Sequence, residues 1–197
     1  MRIIAGTAKG RTLRSLRGRA LRPTSDRVRE TLFALLADRV VAARFLDLYA
    51  GVGTVGLEAL SRGAAAAVFV ESHRPAARLI AGNALRCGLE GRANVINLPV
   101  SRALAKLELE GKGFDLVFLD PPYEVGEAAE AMKAVAQRPG IVREGGLVIC
   151  QHSRREELNE EIGCFRRMRQ RRSGETVLDF YRRGGQRVDR SPICGDI

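Results

Sequence analysis

The segment LDLYAGVGTVG, residues 46–56, has the pattern of an apolar strand, a glycine-rich turn and the start of a helix near Thr54. Gly51 and Gly53 would let the backbone approach a ligand, and Gly56 would let the helix pack closely on the strand. This pattern occurs in proteins that bind NAD, FAD or S-adenosylmethionine, and by itself it does not separate them. It predicts a Rossmann-like α/β fold with a nucleoside-containing cofactor at the turn.

Short apolar strands alternate with helical stretches from Arg44 onward. The predicted strands are Phe45–Ala50, Ala66–Glu71, Asn94–Leu98, Phe114–Asp120 and Gly146–Gln151. The predicted helices cover residues 54–62, 73–88, 100–109, 126–137 and 154–161. The alternation predicts a parallel sheet with helices on both faces. The last two apolar segments, Phe165–Arg171 and Glu175–Arg182, are joined by Ser173-Gly174 and predict an antiparallel hairpin.

The chain divides by composition into three parts. Residues 1–22 alternate short apolar pieces with Arg and Gly, which predicts a basic β-hairpin or arm. Residues 23–183 are predicted to form the cofactor-binding domain, whose first helix is capped by Thr24 or Ser25. Residues 184–197 lack periodicity and are predicted to be a flexible tail.

Two carboxylates lie in the first and second predicted strands, at positions where they could contact a ligand of the glycine turn. Asp47 lies inside the first strand, where a dinucleotide-binding strand is usually uncharged, and it can order the turn or accept from the ammonium of a methionine moiety. Glu71 ends the second strand, where an acceptor for a ribose diol is expected. Asp47 thus favours S-adenosylmethionine, whereas Glu71 indicates a nucleoside ligand of either kind.

The sequence Asp120-Pro121-Pro122-Tyr123 follows a buried strand, at the end where open α/β sheets bind ligands. Two prolines remove backbone donors and stiffen the loop. Asp120 and the Pro121 carbonyl can accept both hydrogens of an exocyclic amine, and Tyr123 can stack on an extruded base, a contact worth about 1–3 kcal/mol. The loop holds no cysteine for a covalent route, so the pattern predicts direct in-line transfer of a methyl group to the amine.

The basic residues are concentrated near the amino terminus. The net charge is +10, and residues 1–30 contain nine basic residues against two acids. Codon bias toward Arg would spread this charge evenly, so its concentration favours a polyanionic partner. The basic residues predicted to attract phosphate are Arg2, Lys9, Arg11, Arg14, Arg17, Arg19, Arg22, Arg27 and Arg29.

Other residue types exclude several classes of protein. The four cysteines and two histidines lack metal-site spacing, so we expect no metal. No apolar run reaches the length of a membrane span, and the first residues lack the apolar core of a signal peptide. We therefore expect a cytoplasmic protein without membrane contact. Asn83 is predicted to lie on a helix surface or in packing. His152 is predicted to have a capping or surface role, and lining the site is the alternative.

These motifs together resemble the RsmD family of bacterial methyltransferases, which modify the N2 amine of a guanine in 16S ribosomal RNA. The resemblance covers roughly residues 1–182. Its most specific part is RPTSDRVRE, residues 22–30, because Asp-Pro-Pro-Tyr also occurs in adenine-N6 enzymes. The other matching segments are RIIAG at 2–6, KGR at 9–11, the glycine turn at 46–56, EALSRGA at 58–64, residues 120–123 and residues 174–181.

The resemblance implies a class I methyltransferase fold, with a mostly parallel seven-stranded sheet, an antiparallel last strand and an amino-terminal β-hairpin extension. It implies S-adenosylmethionine as cofactor and 16S rRNA within the 30S subunit or its precursor as partner, and we expect a monomer. The implied catalytic residues are Asp120, Pro121, Pro122 and Tyr123. The implied cofactor contacts are Asp47, Tyr49, Ala50, Gly51, Gly53, Glu71 and Ser72. The implied RNA contacts are Arg2, Lys9, Arg11, Arg22, Thr24 and Arg27.

Three other functions remain open at this point. One is an adenine-N6 methyltransferase acting on DNA or RNA, although the chain leaves little room for a DNA-recognition segment. The others are an NAD-dependent oxidoreductase and a non-catalytic RNA-binding assembly factor that retains the cofactor pocket. Residues 97–100, NLPV, lack the acid that many class I enzymes place on the cofactor adenine, so backbone groups would have to read that base.

Overall fold

The computed structural model describes residues 1–16 and 25–184. The helices in these residues are α1 Asp26–Leu36, α2 Thr54–Ser61, α3 Arg74–Cys87, α4 Val100–Leu109 and α5 Glu127–Ala136. The strands are β1 Arg44–Leu48, β2 Ala66–Val70, β3 Ala93–Ile96, β4 Phe114–Leu119, β5 Val142–Ser153, β6 Glu161–Ile162, β7 Phe165–Ser173 and β8 Thr176–Arg183. None of the described helices is long and apolar enough to cross a membrane.

The strands form one sheet in the order β3-β2-β1-β4-β5-β8-β7-β6. Strands β1 to β5 are parallel, and β8 runs antiparallel between β5 and β7. The predicted mostly parallel sheet with an antiparallel last strand is confirmed. The strand order changes direction between β1 and β4, and the crevice outside the carboxyl ends of the strands at such a point is where open α/β sheets bind ligands.

Two hydrophobic cores cover the two faces of the sheet. The first packs α1, α2 and α3 against residues such as Phe45, Phe69 and Phe118. The second packs α4 and α5 against residues such as Leu48 and Val117. Because β1 and β4 are buried on both faces, their sequences are nearly continuous apolar runs, which is why the sequence identified them.

The structure differs from the sequence prediction in three elements. Residues 154–161 form no helix, and this prediction was wrong: Leu158 is the one apolar residue among charged ones, so a helix here would have no stripe to bury. The two-residue strand β6 adds an eighth strand to the predicted seven. Strand β5 also extends beyond the predicted Gly146–Gln151 at both ends.

The described amino-terminal residues form a short hairpin-like loop that packs on α2. Arg2 and Thr12 make an antiparallel bridge. Ile3, Ala8 and Leu13 are buried in the first core. The N–H groups of residues 4 and 5 donate to the buried carboxylate of Glu58, at 2.8 and 3.0 Å. The predicted boundary after residue 22 lies outside the described residues and stays a prediction, as does the tail after residue 184.

Candidate active site

A cavity of about 940 Å³ opens at the carboxyl ends of the central strands. It is lined by every predicted cofactor and catalytic residue except Gly53. These lining residues are Asp47, Tyr49, Ala50, Gly51, Glu71, Ser72, Asp120, Pro121, Pro122 and Tyr123. The two motifs that lie seventy residues apart in the sequence therefore share one cavity.

The glycines of the turn have different physical roles. Gly51 has a φ of 57°, and a Cβ added there would meet no atom within 4 Å, so this backbone faces open space. A Cβ at Gly53 would approach the Ile80 side chain of α3 to 3.0 Å. A Cβ at Gly56 would come within 2.3 Å of the Phe69 ring. Gly51 thus leaves space beside the cavity, whereas Gly53 and Gly56 allow close packing.

The two predicted carboxylates hold the turn through backbone hydrogen bonds. The Gly56 N–H donates to Asp47 over 2.8 Å, and the Gly51 N–H donates to Glu71 over 2.8 Å. The second oxygen of Glu71 accepts from the His73 N–H at 2.7 Å. Burial raises the pKa of Asp47 to about 8, and the nearby charges of Asp120 and Glu71 act in the same direction. A positively charged ligand would relieve this repulsion.

The electrostatics of the cavity disfavour a dinucleotide. A glycine turn that binds pyrophosphate offers the free N–H groups at its helix terminus to the anion. Here the Gly56 N–H, in the first turn of α2, already donates to Asp47, and the Gly51 N–H of the turn before the helix already donates to Glu71. The cavity lining also includes Asp120, Glu127 and Glu130, and within residues 1–16 and 25–184 it includes no Lys or Arg. The site suits a cation better than a pyrophosphate.

The loop after β4 is held by a side chain that the sequence analysis did not select. The amide nitrogen of Gln151 donates to Asp120 Oδ1 over 2.9 Å and to the Tyr123 hydroxyl over 2.9 Å. The Tyr123 hydroxyl also lies 3.5 Å from the Thr176 hydroxyl, at the start of β8. Gln151 is only 3% exposed, so its amide is a fixed donor. It orients the acceptor and the aromatic ring together.

A sequence signal for Gln151 existed. It is the polar residue that ends the otherwise apolar predicted strand Gly146–Gln151, next to the strand that leads into Asp120. Carboxyl ends of parallel neighbours meet at one edge, and buried polar side chains there require partners. The parallel pairing of β4 and β5 is what joins the two residues.

The predicted basic residues divide into two groups. Arg2, Lys9, Arg11, Arg14 and Arg27 are exposed, as phosphate binding requires. Arg29 is fully buried, so its assignment as a phosphate contact was wrong. Its guanidinium donates to the Arg2 carbonyl and to Asp26, and lies 3.5 Å from Glu58. Arg17, Arg19, Arg22 and Thr24 lie outside the described residues.

The amino-terminal segment reaches the cavity itself. Met1, Ser15 and Leu16 contribute to its lining. The segment is fixed by Asn83 of α3, which accepts from the Arg14 N–H at 2.8 Å and donates to carbonyls of residues 14 and 52 at 3.1 Å. The packing role predicted for Asn83 is confirmed, and it couples the basic segment to the glycine turn.

His152 has neither of the two roles predicted from the sequence. It is buried, and its Nε2 lies 3.1 Å from Asp179 of β8. It does not line the cavity, because neighbouring residues of a strand point to opposite faces and Gln151 takes the face of Asp120. His152 therefore stabilises the pairing of β5 with β8.

The far end of the cavity is formed by the loops after β2 and β3. Asn97 donates to the carbonyls of Glu71 and Ser72, at 2.8 and 3.0 Å, and so links the two loops. Pro99, Val100 and Ser101 continue the lining. The absence of an acid at 97–100 leaves polar contacts there to backbone groups and the Ser101 hydroxyl.

The chain is similar to proteins of one family along nearly its whole length. The family model described as "Conserved hypothetical protein 95" matches residues 1–182. A relative named "Ribosomal RNA small subunit methyltransferase D", from Escherichia coli, is 35% identical over 94% of this chain and 91% of its own. The "Putative rRNA methyltransferase YlbH" of Bacillus subtilis is 34% identical over 94% of this chain and 100% of its own.

Solved structures show the same fold. The "Putative methyltransferase yhhF from Escherichia coli" has a TM-score of 0.82 at 34% identity, covering 94% of this chain and 99% of its own. A "putative methylase" from Haemophilus influenzae has a TM-score of 0.75 at 27% identity, covering 93% of this chain and 98% of its own. These neighbours confirm the predicted class I methyltransferase fold.

Proposed function

Because the chain belongs to the RsmD family, we propose that it is an S-adenosylmethionine-dependent methyltransferase that modifies the N2 amine of a guanine in 16S rRNA. The observation that carries this proposal is the shared cavity, in which an acid-lined glycine turn faces the Asp120–Tyr123 loop. We infer that the substrate is the small ribosomal subunit or its precursor, and that the protein acts in the cytoplasm.

The residues of the cavity fit the cofactor. S-adenosylmethionine carries a sulfonium and an ammonium group, and the cavity presents acids without a described Lys or Arg. The Asp47 region would hold the methionine part, Glu71 would accept from the ribose hydroxyls, and the loop around Ser72 and residues 97–101 would hold the adenine. When bound, the cofactor supplies an electrophilic methyl group.

The protein's own residues would position the amine. An aromatic amine is a weak nucleophile because its lone pair is delocalised into the ring. Asp120 and the Pro121 carbonyl would accept its two hydrogens, which favours a tetrahedral nitrogen with an available lone pair. Tyr123 would stack on the extruded base. Gln151 holds Asp120 and Tyr123 in place, so catalysis would come mainly from positioning and electrostatics.

Transfer of labelled methyl groups tests the proposal directly. Small ribosomal subunits from a strain lacking this protein should accept label from S-adenosylmethionine, and nucleoside mass spectrometry should then find N2-methylguanosine. Label in N6-methyladenosine would instead support the adenine alternative. Binding to RNA without any transfer would support the assembly-factor alternative and would contradict an enzyme.

A Gln151→Ala substitution is expected to lower kcat by roughly a hundredfold, because misplacing a reacting group by about 1 Å has effects of this size. The affinity for S-adenosylhomocysteine should stay unchanged, since Gln151 does not line the cavity. Gln151→Glu should lower kcat further, because it places a second carboxylate beside Asp120. Equal kcat in the wild type and Gln151→Ala would contradict the positioning role.

Cofactor binding is expected to release a proton from Asp47. Its pKa of about 8 leaves the carboxyl mostly protonated at neutral pH, and a bound cation would lower that pKa. Calorimetry in two buffers of different ionisation enthalpy should give different binding enthalpies, corresponding to release of up to about nine-tenths of a proton. The Asp47→Asn variant should show no such release. Equal wild-type enthalpies in both buffers would contradict the prediction.

The same pKa shift predicts how stability depends on pH. The pKa of Asp47 rises from 3.8 to about 8 on folding, so its favourable effect on stability is complete below pH 3.8 and is lost as pH rises through about 8. As pH rises over that range, the wild type should lose stability relative to the Asp47→Asn variant, whose side chain does not titrate.

A further inference from the structure

A second concentration of positive charge lies on the sheet, far in sequence from the basic amino terminus. Strand β7 has five arginines and no acid among its nine residues. Arg169, Arg171 and Arg172 are exposed, and no carboxylate of residues 1–16 or 25–184 forms a salt bridge with them. By contrast, Arg167 lies within 3.5 Å of the buried Asp179. The strand thus has structural arginines and arginines available to a partner.

The pairing register places two of these arginines on the face of the active site. Arg171 lies opposite Leu178 of β8, and Leu178 lies opposite Gln151 of β5. Arg169 lies opposite Phe180 in the same way. Two strand spacings separate Arg171 from Gln151, about 10 Å between backbones. Because β7 runs parallel to β5, Arg171 lies near the end of the sheet where the Asp120 loop begins.

A β-bulge creates this arrangement. The register between β7 and β8 shifts between Arg167 and Arg169, around Met168. Without the shift, Arg169 and Arg171 would share the face of Arg167, since side chains two residues apart in a regular strand point the same way. The bulge turns them to the face of Gln151, and re-aiming side chains near active sites is a common use of bulges.

One cross-strand pair on this face brings like charges together. Arg166 lies directly opposite Arg182 of β8, and both are exposed, while Glu161 of β6 lies 3.9 Å from Arg166 on the side away from Arg182. Like charges directly opposite each other on neighbouring strands destabilise the pair. Beyond Arg166, no described strand pairs with the outer edge of β7. An anionic partner would relieve the repulsion between these arginines.

We propose that Arg169 and Arg171, with Arg166 and Arg182 behind them, form a second RNA-binding surface that holds the phosphate backbone flanking the target nucleotide. The proposal rests on the proposed function, because it takes RNA as the substrate of the adjacent cavity. Phosphate contacts of this kind position a substrate without reading its sequence. Together with the amino-terminal segment, this surface would bind the RNA backbone on two sides of the extruded base.

The test compares Arg169→Ala/Arg171→Ala with a matched control, Arg39→Ala/Lys106→Ala. The control loses the same charge from exposed residues, Arg39 just before β1 and Lys106 in the last turn of α4, both away from the site edge of the sheet. Filter binding would measure the affinity for a 16S rRNA transcript as a function of salt. We expect the β7 variant to bind roughly tenfold more weakly than the control, with a salt slope smaller by about 1.4. Its melting temperature should not fall.

The readouts separate this proposal from the proposed function. If the wild type methylates 16S rRNA and the β7 variant binds it with the control's affinity and salt slope, the surface proposal is overturned and the function stands. If the wild type transfers no methyl group, the function fails, while the binding comparison still decides the surface. Self-association of the β7 variant with unchanged RNA affinity would mean that the arginines only protect the sheet edge, which also overturns the proposal.

Discussion

An Asp120→Asn variant is expected to lose methyl transfer by about a thousandfold in kcat, the size of effect seen when one preorganised polar group is removed from an active site. The substitution keeps the shape of the side chain and removes its charge. An amide accepts through only one of its two terminal atoms, so the amine would lose the acceptor that draws its hydrogens away. The effect should appear in kcat and kcat/KM equally, as for an interaction made in the transition state.

Single-turnover transfer to undermethylated small ribosomal subunits would measure this loss. Calorimetry with S-adenosylhomocysteine should give an affinity within about twofold of the wild type, a change of about 0.4 kcal/mol at most. The affinity should be preserved because Asp120 is proposed to hold the target amine and not the cofactor. Asp38→Asn is the matched control, since Asp38 is exposed in the short helical turn before β1 and should leave kcat unchanged. An Asp120→Asn enzyme that folds and retains wild-type kcat would remove Asp120 from the mechanism.

A Glu58→Ala substitution is expected to lower the free energy of unfolding by about 3–5 kcal/mol, the usual cost of breaking a buried ion pair on one side. Glu58 is fully buried in α2 and accepts from two backbone N–H groups of the amino-terminal segment and from Arg62. Removing the Glu58 carboxylate leaves the buried Arg29 guanidinium without the buried acid that lies 3.5 Å from it.

Urea unfolding would measure this change against Glu144→Ala, which removes an exposed glutamate. Because Glu58 ties residues 4 and 5 to α2, hydrogen exchange in the amino-terminal segment should accelerate more than the global stability loss explains. A loss below about 1 kcal/mol would mean that water or another group solvates the pair, contrary to the buried network described above.

The sequence predicted the parts of the site that depend on local pattern. The glycine turn, Asp47, Glu71 and the Asp120–Tyr123 loop are short motifs that begin or end predicted strands, and the structure brings all of them except Gly53 to one cavity. Gly53 was missed as a packing residue because its neighbour Ile80 lies on α3, far along the chain.

The errors share one cause, which is that a residue's environment is set by distant parts of the chain. Arg29 looked like its exposed neighbours in a basic segment, yet α2 supplies the buried Glu58 beside it. The positive charge of β7 was overlooked because acidic residues elsewhere in the chain offset it when the net charge is summed over a long segment. A helix was predicted over the mostly charged residues 154–161, but this segment forms no helix and leads into β6.

By itself the sequence determined the order of helices and strands from α1 to β5, the glycine turn and the chemistry of the loop after β4, because periodicity, strand ends and turn residues are encoded locally. Tertiary structure alone decided which side chains meet. It joined Gln151 to Asp120 and Tyr123, fixed the Arg14 backbone on Asn83, and turned Arg169 and Arg171 toward the face of the site through the bulge at Met168. Strand register and packing set these contacts, and a shift of one residue in register would move each side chain to the other face.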